Sequence, residues 1–265
     1  MAPLDGGAAM AVADISDIER PFDGHVDGGS ALASAAAAYN ERYGELDARG
    51  LIKASIETLF PGRVAMVSSF GAESAVLLHQ LAEVDRNVPV IFIDTGRLFP
   101  ETLAYRAELT EFLGLTNVRI VGPGAVRAAE LDPAKALWMT DPDGCCHFRK
   151  TEPLAEALPG FDAWFTGRKR FQSALRSALL PFEADGARMK VNPLASWSGE
   201  DLDAYRAKFR LPVHPLVAKG YPSIGCLPCT DRVRPGEDQR AGRWRGREKT
   251  ECGIHIPLEA DGSGI

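Results

Sequence analysis

The chain has 265 residues, 45% apolar and 25% charged, enough to bury a substantial core and ordinary for a globular protein. A net charge of −6 argues against a general nucleic-acid binder, and no apolar run approaches the roughly 20 residues that cross a bilayer. Five cysteines, an odd number, do not resemble a secreted disulfide framework, and the start lacks a basic flank before an apolar run; a cytoplasmic protein without a secretory signal is expected.

Residues 1–30, rich in Gly, Ala and Asp without periodicity, predict a disordered N-terminal arm. An α/β domain is expected over 31–235 and a mobile C-terminal segment over 236–265. "SALASAAAAYNERYGELDARGLIKASIETLF", Ala-rich and then amphipathic, predicts helix. After Pro61-Gly62, "RVAMVSSF" reads as a buried strand. "ESAVLLHQLAEV" places Leu77, Leu78, Leu81 and Val84 on one helical face. "VPVIFID" reads as strand, "PETLAYRAELTEFLG" as helix with Pro100 in its first turn, and "NVRIVG" as strand. "DAWFTG" and "RMKVNPL" are two further strands. In "SWSGEDLDAYRAKF", Ser198 can cap a helix with Asp201 three residues on. Such alternation implies a parallel twisted sheet flanked by helices. From about residue 210 onward Pro, Gly and Arg dominate, and regular structure is expected to thin out.

In open parallel sheets ligands sit beyond the carboxyl ends of the strands. The first such end, "SSFGAES", supplies Ser68, Ser69, Gly71 and Ser74, small residues whose amides and hydroxyls can hold a phosphate. It is neither the Walker pattern nor the dinucleotide fingerprint. The second, "IDTGRLFPET", supplies Asp94, Thr95, Gly96 and Arg97. The third, "TGRKRFQSALR", carries Gly167 followed by Arg168, Lys169, Arg170 and Arg176. Together they suggest a nucleotide with an anionic tail. Between Arg232 and Lys249, six arginines and a lysine face Glu237, Asp238 and Glu248, a local excess of four positive charges (7 − 3) and a candidate anion site.

The cysteines are unevenly spaced: Cys145-Cys146, Cys226-Leu-Pro-Cys229, and Cys252. The C-x-x-C spacing serves metal ligation or redox exchange. Adjacent helical residues point about 100° apart, so a vicinal pair suits a multi-centred ligand better than one tetrahedral zinc. An iron–sulfur cubane tolerates irregular thiolate spacing, while zinc and a redox dithiol remain alternatives. Cys252, with Lys249 before it and His255 after it, sits where cations can make a thiol nucleophilic.

"CCHFRKTEPL", "GCLPCT", "RPGEDQRAGRWRGREKTECGIH" and "IDTGRLFPET" together resemble the assimilatory adenylyl-sulfate (APS) reductases, of the APS/PAPS reductase family, over about residues 40–256. The resemblance implies an adenine nucleotide alpha-hydrolase-like scaffold, related to the ATP pyrophosphatases. It implies a [4Fe–4S] cluster on Cys145, Cys146, Cys226 and Cys229. It further implies that Cys252 attacks the sulfur of adenylyl sulfate, leaving a thiosulfonate from which thioredoxin releases sulfite. Lys150, Arg240, Arg243 and His255 would hold the phosphosulfate; Ser68, Ser69, Gly71 and Ser74 would line the phosphate loop, with Gly167 at the neighbouring strand end; Asp94, Thr95, Gly96 and Arg97 would border the adenosine. The implied role is sulfate assimilation toward cysteine, with no nucleic-acid or membrane partner and a homo-oligomer allowed. The alternatives are a phosphoadenylyl-sulfate (PAPS) or dual reductase and, more remotely, an iron–sulfur tRNA thiolase, although "SSFGAES" lacks the second Gly and the Asp of an S-G-G-x-D-S loop.

Overall fold

A computed structural model describes residues 28–249 and 251–255; the expected N-terminal arm, up to residue 27, and the end of the expected C-terminal segment lie outside the described residues. Among the described residues no helix is long and apolar enough to cross a membrane.

The sheet has six strands, β1 (Val64–Ser68), β2 (Val90–Ile93), β3 (Val118–Val121), β4 (Ala163–Phe165), β5 (Phe182–Asp185) and β6 (Arg188–Val191), in the order β3-β2-β1-β4-β6-β5. All neighbours run parallel except β5, which pairs antiparallel with β6. β1, β2 and β4 are short Val/Ile/Phe-rich runs, almost wholly buried, as expected of strands covered on both faces. The sheet is the parallel, helix-flanked one expected, with one antiparallel edge strand added. β5 reads "FEAD", too polar to stand out as a buried strand, and it is made by a tight return through Gly186, whose φ of +57° suits glycine. Its outer edge is covered rather than left open: Asn40 on α1 (Gly28–Tyr43) donates to the Phe182 carbonyl at 2.8 Å and accepts from its N–H at 3.0 Å.

One face of the sheet carries the larger core, in which α2 (Ala48–Ala54), α3 (Ser74–Ala82) and α4 (Pro100–Leu113) bury Ile52, Leu77, Leu78, Leu81 and Leu109. The helices end as their residues dictate. Pro100 sits in the first turn of α4, and Gly114 closes it in the left-handed region. The exposed α5 (Ala125–Leu131) and the short α6 (Leu137–Thr140) follow β3. The other face is covered by Leu154 of α8 (Glu152–Ala157) and by Leu158, which pack on Ala65, Ile91 and Trp164. The helix α9 (Gly199–Phe209) opens with the reciprocal Ser198–Asp201 box its sequence predicts. From β1 the chain moves outward through β2 to β3, then returns to place β4 on the opposite side of β1. That reversal leaves a crevice at the carboxyl ends of β1 and β4.

Candidate active site

The crevice holds a cavity walled by the turns after β1 and β4 and by residues 222–243. Its floor is the turn after β1, where Ser68, Ser69, Gly71 and Ser74 all face the space. The turn is held by local devices: Ser68 Oγ accepts from the Phe70 N–H at 3.2 Å, and Phe70 takes a left-handed conformation (φ 47°). That conformation costs a non-glycine residue about 1 kcal/mol. Full burial of the Phe70 ring edge-on to Phe92, with centroids 5.5 Å apart, offsets it.

The wall beyond β4 carries Gly167, Arg168, Lys169, Gln172 and Arg176. The first two cations are already matched inside the protein. Arg168 pairs with Glu183 and donates to Asn192 at 3.2 Å, and Lys169 pairs with Glu73 of the β1 turn. Arg170 donates to the Leu179 carbonyl at 2.8 Å.

Gln239, Arg240 and Arg243 form the opposite wall. Arg243 lies over the Trp244 ring at 4.4 Å and runs against the backbone at Gly225, where a Cβ would stand 2.2 Å from its Nη2. Glycine before Cys226 is therefore what lets this guanidinium reach the cavity.

Behind this wall is a second, smaller cavity lined by Cys145, Cys146, Cys226 and Cys229 with Arg97, Arg149 and Lys150. The vicinal pair ends α7 (Pro142–Cys146), capped by Asp141, whose carboxylate accepts from the Gly144 N–H at 2.8 Å. Cys226 and Cys229 bracket one tight turn. All four thiols are free, and burial first, then the neighbouring sulfurs, pushes Cys145 up to about 11 and raises Cys229. Burial likewise raises Cys146, against the opposing pull of Lys150 and Lys249. Among the described residues no three His, Cys, Asp or Glu side chains stand close enough to hold a single metal ion. Four soft thiol donors spread around one cavity match a group with several metal centres better than a lone ion. The donor set thus fits an iron–sulfur cluster, whose binding must displace the thiol protons.

The turn after β2 belongs to this side of the molecule. Thr95 Oγ1 lies 3.3 Å from Cys226 Sγ, the Arg97 carbonyl accepts from the Leu227 N–H at 2.8 Å, and Asp94 accepts from the Gly96 N–H at 2.9 Å. Arg149 ties these pieces together by donating to the Thr95 carbonyl and to Asp132, both at 2.8 Å. Burial opposes the charge on Asp132, but the Leu137 N–H with Arg149 and Arg97 outweighs it and lowers the pKa. Asp94, Thr95, Gly96 and Arg97 are not among the residues lining the larger cavity.

Cys252 arrives from the far end of the chain. The turn Gly253–His255 packs on the helical turn His147–Thr151, and Ile254 inserts between the sheet-face cluster and the larger cavity. Lys150 lines the cysteine cavity; burial lowers its pKa, but Cys226, Cys252 and Cys146 raise it by more. Cys252 also lies within electrostatic reach of Arg240 and Cys146. The side chain of His255 lies outside the described residues. Glu73, Gln172, Gln239, Asp132 and Arg149 are additions to the residues singled out from the sequence. Each is a common polar residue whose place depends on a partner distant in the chain.

The phosphoadenosine phosphosulfate reductase domain family matches residues 63–232. The chain is 51% identical over 237 residues to the adenosine 5′-phosphosulfate reductase of Mesorhizobium japonicum, covering 89% of this chain and 93% of that one. Its structure is similar to that of phosphoadenylyl-sulfate (PAPS) reductase from Candida auris in a phosphate complex, with a TM-score of 0.65 at 26% identity over 76% of this chain and 97% of the other. In fold alone it is similar to the Candida glabrata FMN adenylyltransferase bound to FMN and an ATP analog, with a TM-score of 0.50 at 16% identity over 85% and 84% of the two chains.

Proposed function

The chain belongs to the phosphoadenosine phosphosulfate reductase domain family, and from that premise we propose that it reduces adenylyl sulfate (APS) to sulfite and AMP in sulfate assimilation, with thioredoxin as the reductant. Its scaffold is the adenine nucleotide alpha-hydrolase-like sheet. The observation that carries the reading is that Cys252 lies within electrostatic reach of Lys150 and Arg240, while Arg240 and the nearby Ile254 line a cavity floored by Ser68, Ser69, Gly71 and Ser74.

In this reading the loop hydroxyls and amides hold the nucleotide, Gly167 leaves room at the neighbouring strand end, and Asp94 to Arg97 border the adenosine from the cysteine side. Lys150, Arg240, Arg243 and His255 take the phosphosulfate. Sulfate oxygens repel an incoming thiolate, and fixed cations offset that charge as it concentrates in the transition state. The Cys252 thiolate attacks sulfur; the S–O bond to phosphate breaks, and AMP leaves with the electron pair. The product is a Cys252 thiosulfonate. A thioredoxin thiolate then attacks Cys252 Sγ, expelling sulfite with its electron pair, and the second thioredoxin thiol resolves the mixed disulfide. Two thiols thus supply both electrons.

Cys145, Cys146, Cys226 and Cys229 would hold a [4Fe–4S] cluster, which supplies fixed charge and a cross-link between α7 and the 226–229 turn without changing oxidation state. Segment 236–265 moves between substrate and thioredoxin in a protein of the cytoplasm, while 31–235 forms the body. The cations after Gly167 favour APS over its 3′-phosphorylated form, since Arg168 and Lys169 are matched by Glu183 and Glu73. The test is sulfite release by anaerobically purified protein with thioredoxin, comparing kcat/KM for APS and PAPS. A strong preference for APS is expected. Equal or better use of PAPS would overturn the substrate assignment, and no sulfite from either would overturn the reaction.

A further inference from the structure

Glu251, the residue before Cys252, has no part in the chemistry above, yet its side chain is firmly anchored. Its carboxylate is about nine-tenths buried and sits in a fork: Arg176 Nε donates to Oε1 and Nη2 to Oε2, each at 2.7 Å, with Arg240 Nη2 3.6 Å from Oε2. The Arg176 side chain is itself only 9% exposed. Two-pronged arginine–carboxylate contacts fix direction as well as distance. The neighbouring pair, Lys249 with Asp143, uses a carboxylate 80% exposed to solvent, the class of ion pair that contributes little. Arg176 continues inward. Its Nη1 donates to Gln172 Oε1, and Gln172 Nε2 donates to Glu73 Oε2 at 2.7 Å, in the turn that floors the cavity. One unbroken line of contacts therefore joins the nucleotide loop to the residue adjoining Cys252.

We propose that Glu251 is a positioning residue that docks Cys252 at the cavity, with Arg176 as its receptor, anchored to the nucleotide loop through Gln172 and Glu73. The proposal rests on the reading of Cys252 as the nucleophile of a segment that opens and closes. Closure by a carboxylate built into the chain keeps the thiol beside Lys150 before substrate arrives. Opening toward the reductant exchanges this fork for water.

The test reads docking without catalysis. In substrate-free, cluster-loaded protein, tryptic cleavage after Lys249 and iodoacetamide labelling of Cys252 are timed by mass spectrometry. Loss of one charge-assisted contact of about 1.5–3 kcal/mol corresponds to roughly 10–150-fold in the docking equilibrium. Glu251→Gln is expected to speed both reactions about tenfold or more, and Glu251→Asp less. The exchanged pair Arg176→Glu/Glu251→Arg should be slower to cleave than either single variant. Turnover of Glu251→Gln should fall chiefly in kcat, while AMP binding is kept. Unchanged cleavage and labelling in Glu251→Gln would overturn the latch, as would a lower KM for APS, which would make Glu251 a competitor of substrate. Faster cleavage in a protein whose wild type makes no sulfite would keep the docking role and count against the reductase reading instead.

Discussion

Gly225→Ala should disable a substrate contact without touching any residue that makes one. A Cβ at this position would lie 2.2 Å from Arg243 Nη2, 2.6 Å from Cζ and 3.1 Å from Nε. Gly225 is not among the positive-φ glycines, so alanine fits the backbone and is expected to leave stability unchanged or raise it by about 0.4–1 kcal/mol. The clash is with the end of a flexible side chain, so the guanidinium gives way and leaves both the cavity wall and the Trp244 ring it covers at 4.4 Å. If Arg243 makes a charge-assisted hydrogen bond to the phosphosulfate, its displacement costs about 1.5–3 kcal/mol, or roughly 10–150-fold in kcat/KM for APS. The assay is steady-state sulfite release, with iron content measured alongside because Cys226 is the next residue. Gly225→Ala and Arg243→Ala should not add, since the first variant has already removed what the second deletes. Wild-type kinetics in Gly225→Ala, or a double variant whose loss is the sum of the singles, would refute the argument.

Cys252→Ser should make no sulfite while keeping its iron and its affinity for AMP; residual turnover above background would remove Cys252 as nucleophile. Asp132→Ala leaves Arg149 and Arg97 without their shared buried carboxylate, which should cost about 3–5 kcal/mol and lower Tm by roughly 6–20 °C. A fall of less than about 2 °C in a melting curve would contradict that. His214 is fully buried against Thr102, with Nε2 3.1 Å from Oγ1, and burial pulls its pKa down to about 4. The unfolded chain, at about 6.5, takes up the proton first, so this stability is complete above pH 6.5 and is lost as pH falls toward 4. The loss should be about 3 kcal/mol in urea unfolding, and His214→Gln should flatten that part of the profile.

The parallel body of the sheet was legible because its strands are apolar runs with small residues at their ends, as in "RVAMVSSF" and "VPVIFID". The cap of α9 was legible because Ser198 and Asp201 carry their signal in four adjacent residues. α5 and α6 were not, because neither buries a residue and so neither leaves an apolar face in the sequence. Within the site, the hydroxyl loop and the cysteine groups stand out as local motifs. What joins them does not: Thr95 meets Cys226 across 131 positions and Arg176 meets Glu251 across 75. The direction of a turn is equally hidden. "IDTGR" reads as one more polar strand end, yet Thr95 and Arg97 face the cysteines because Arg149 and the 226–229 turn draw their backbone that way.

Charge placement, more than charge number, separates the cations of this site into two kinds. The two next to Gly167 are held by carboxylates of the body: Arg168 by Glu183 and Lys169 by Glu73. Such pairs cannot release a cation to a ligand without leaving a buried carboxylate uncompensated, a cost of several kcal/mol. Lys150 and Arg240 interact instead with the Cys252 thiol and the Glu251 carboxylate of the C-terminal segment, the part of the chain that moves in the proposed reaction. In the proposed reaction, departure of that segment takes these two contacts away together, and an anion in the cavity would replace them. A phosphosulfate held there would in turn admit a thiolate only because Lys150 and the arginines offset the negative charge that both bring in. The basic run that the sequence marked as a candidate anion site thus contributes Arg240 and Arg243 to one set of cations that, in the proposed reaction, serves nucleophile, latch and substrate in succession.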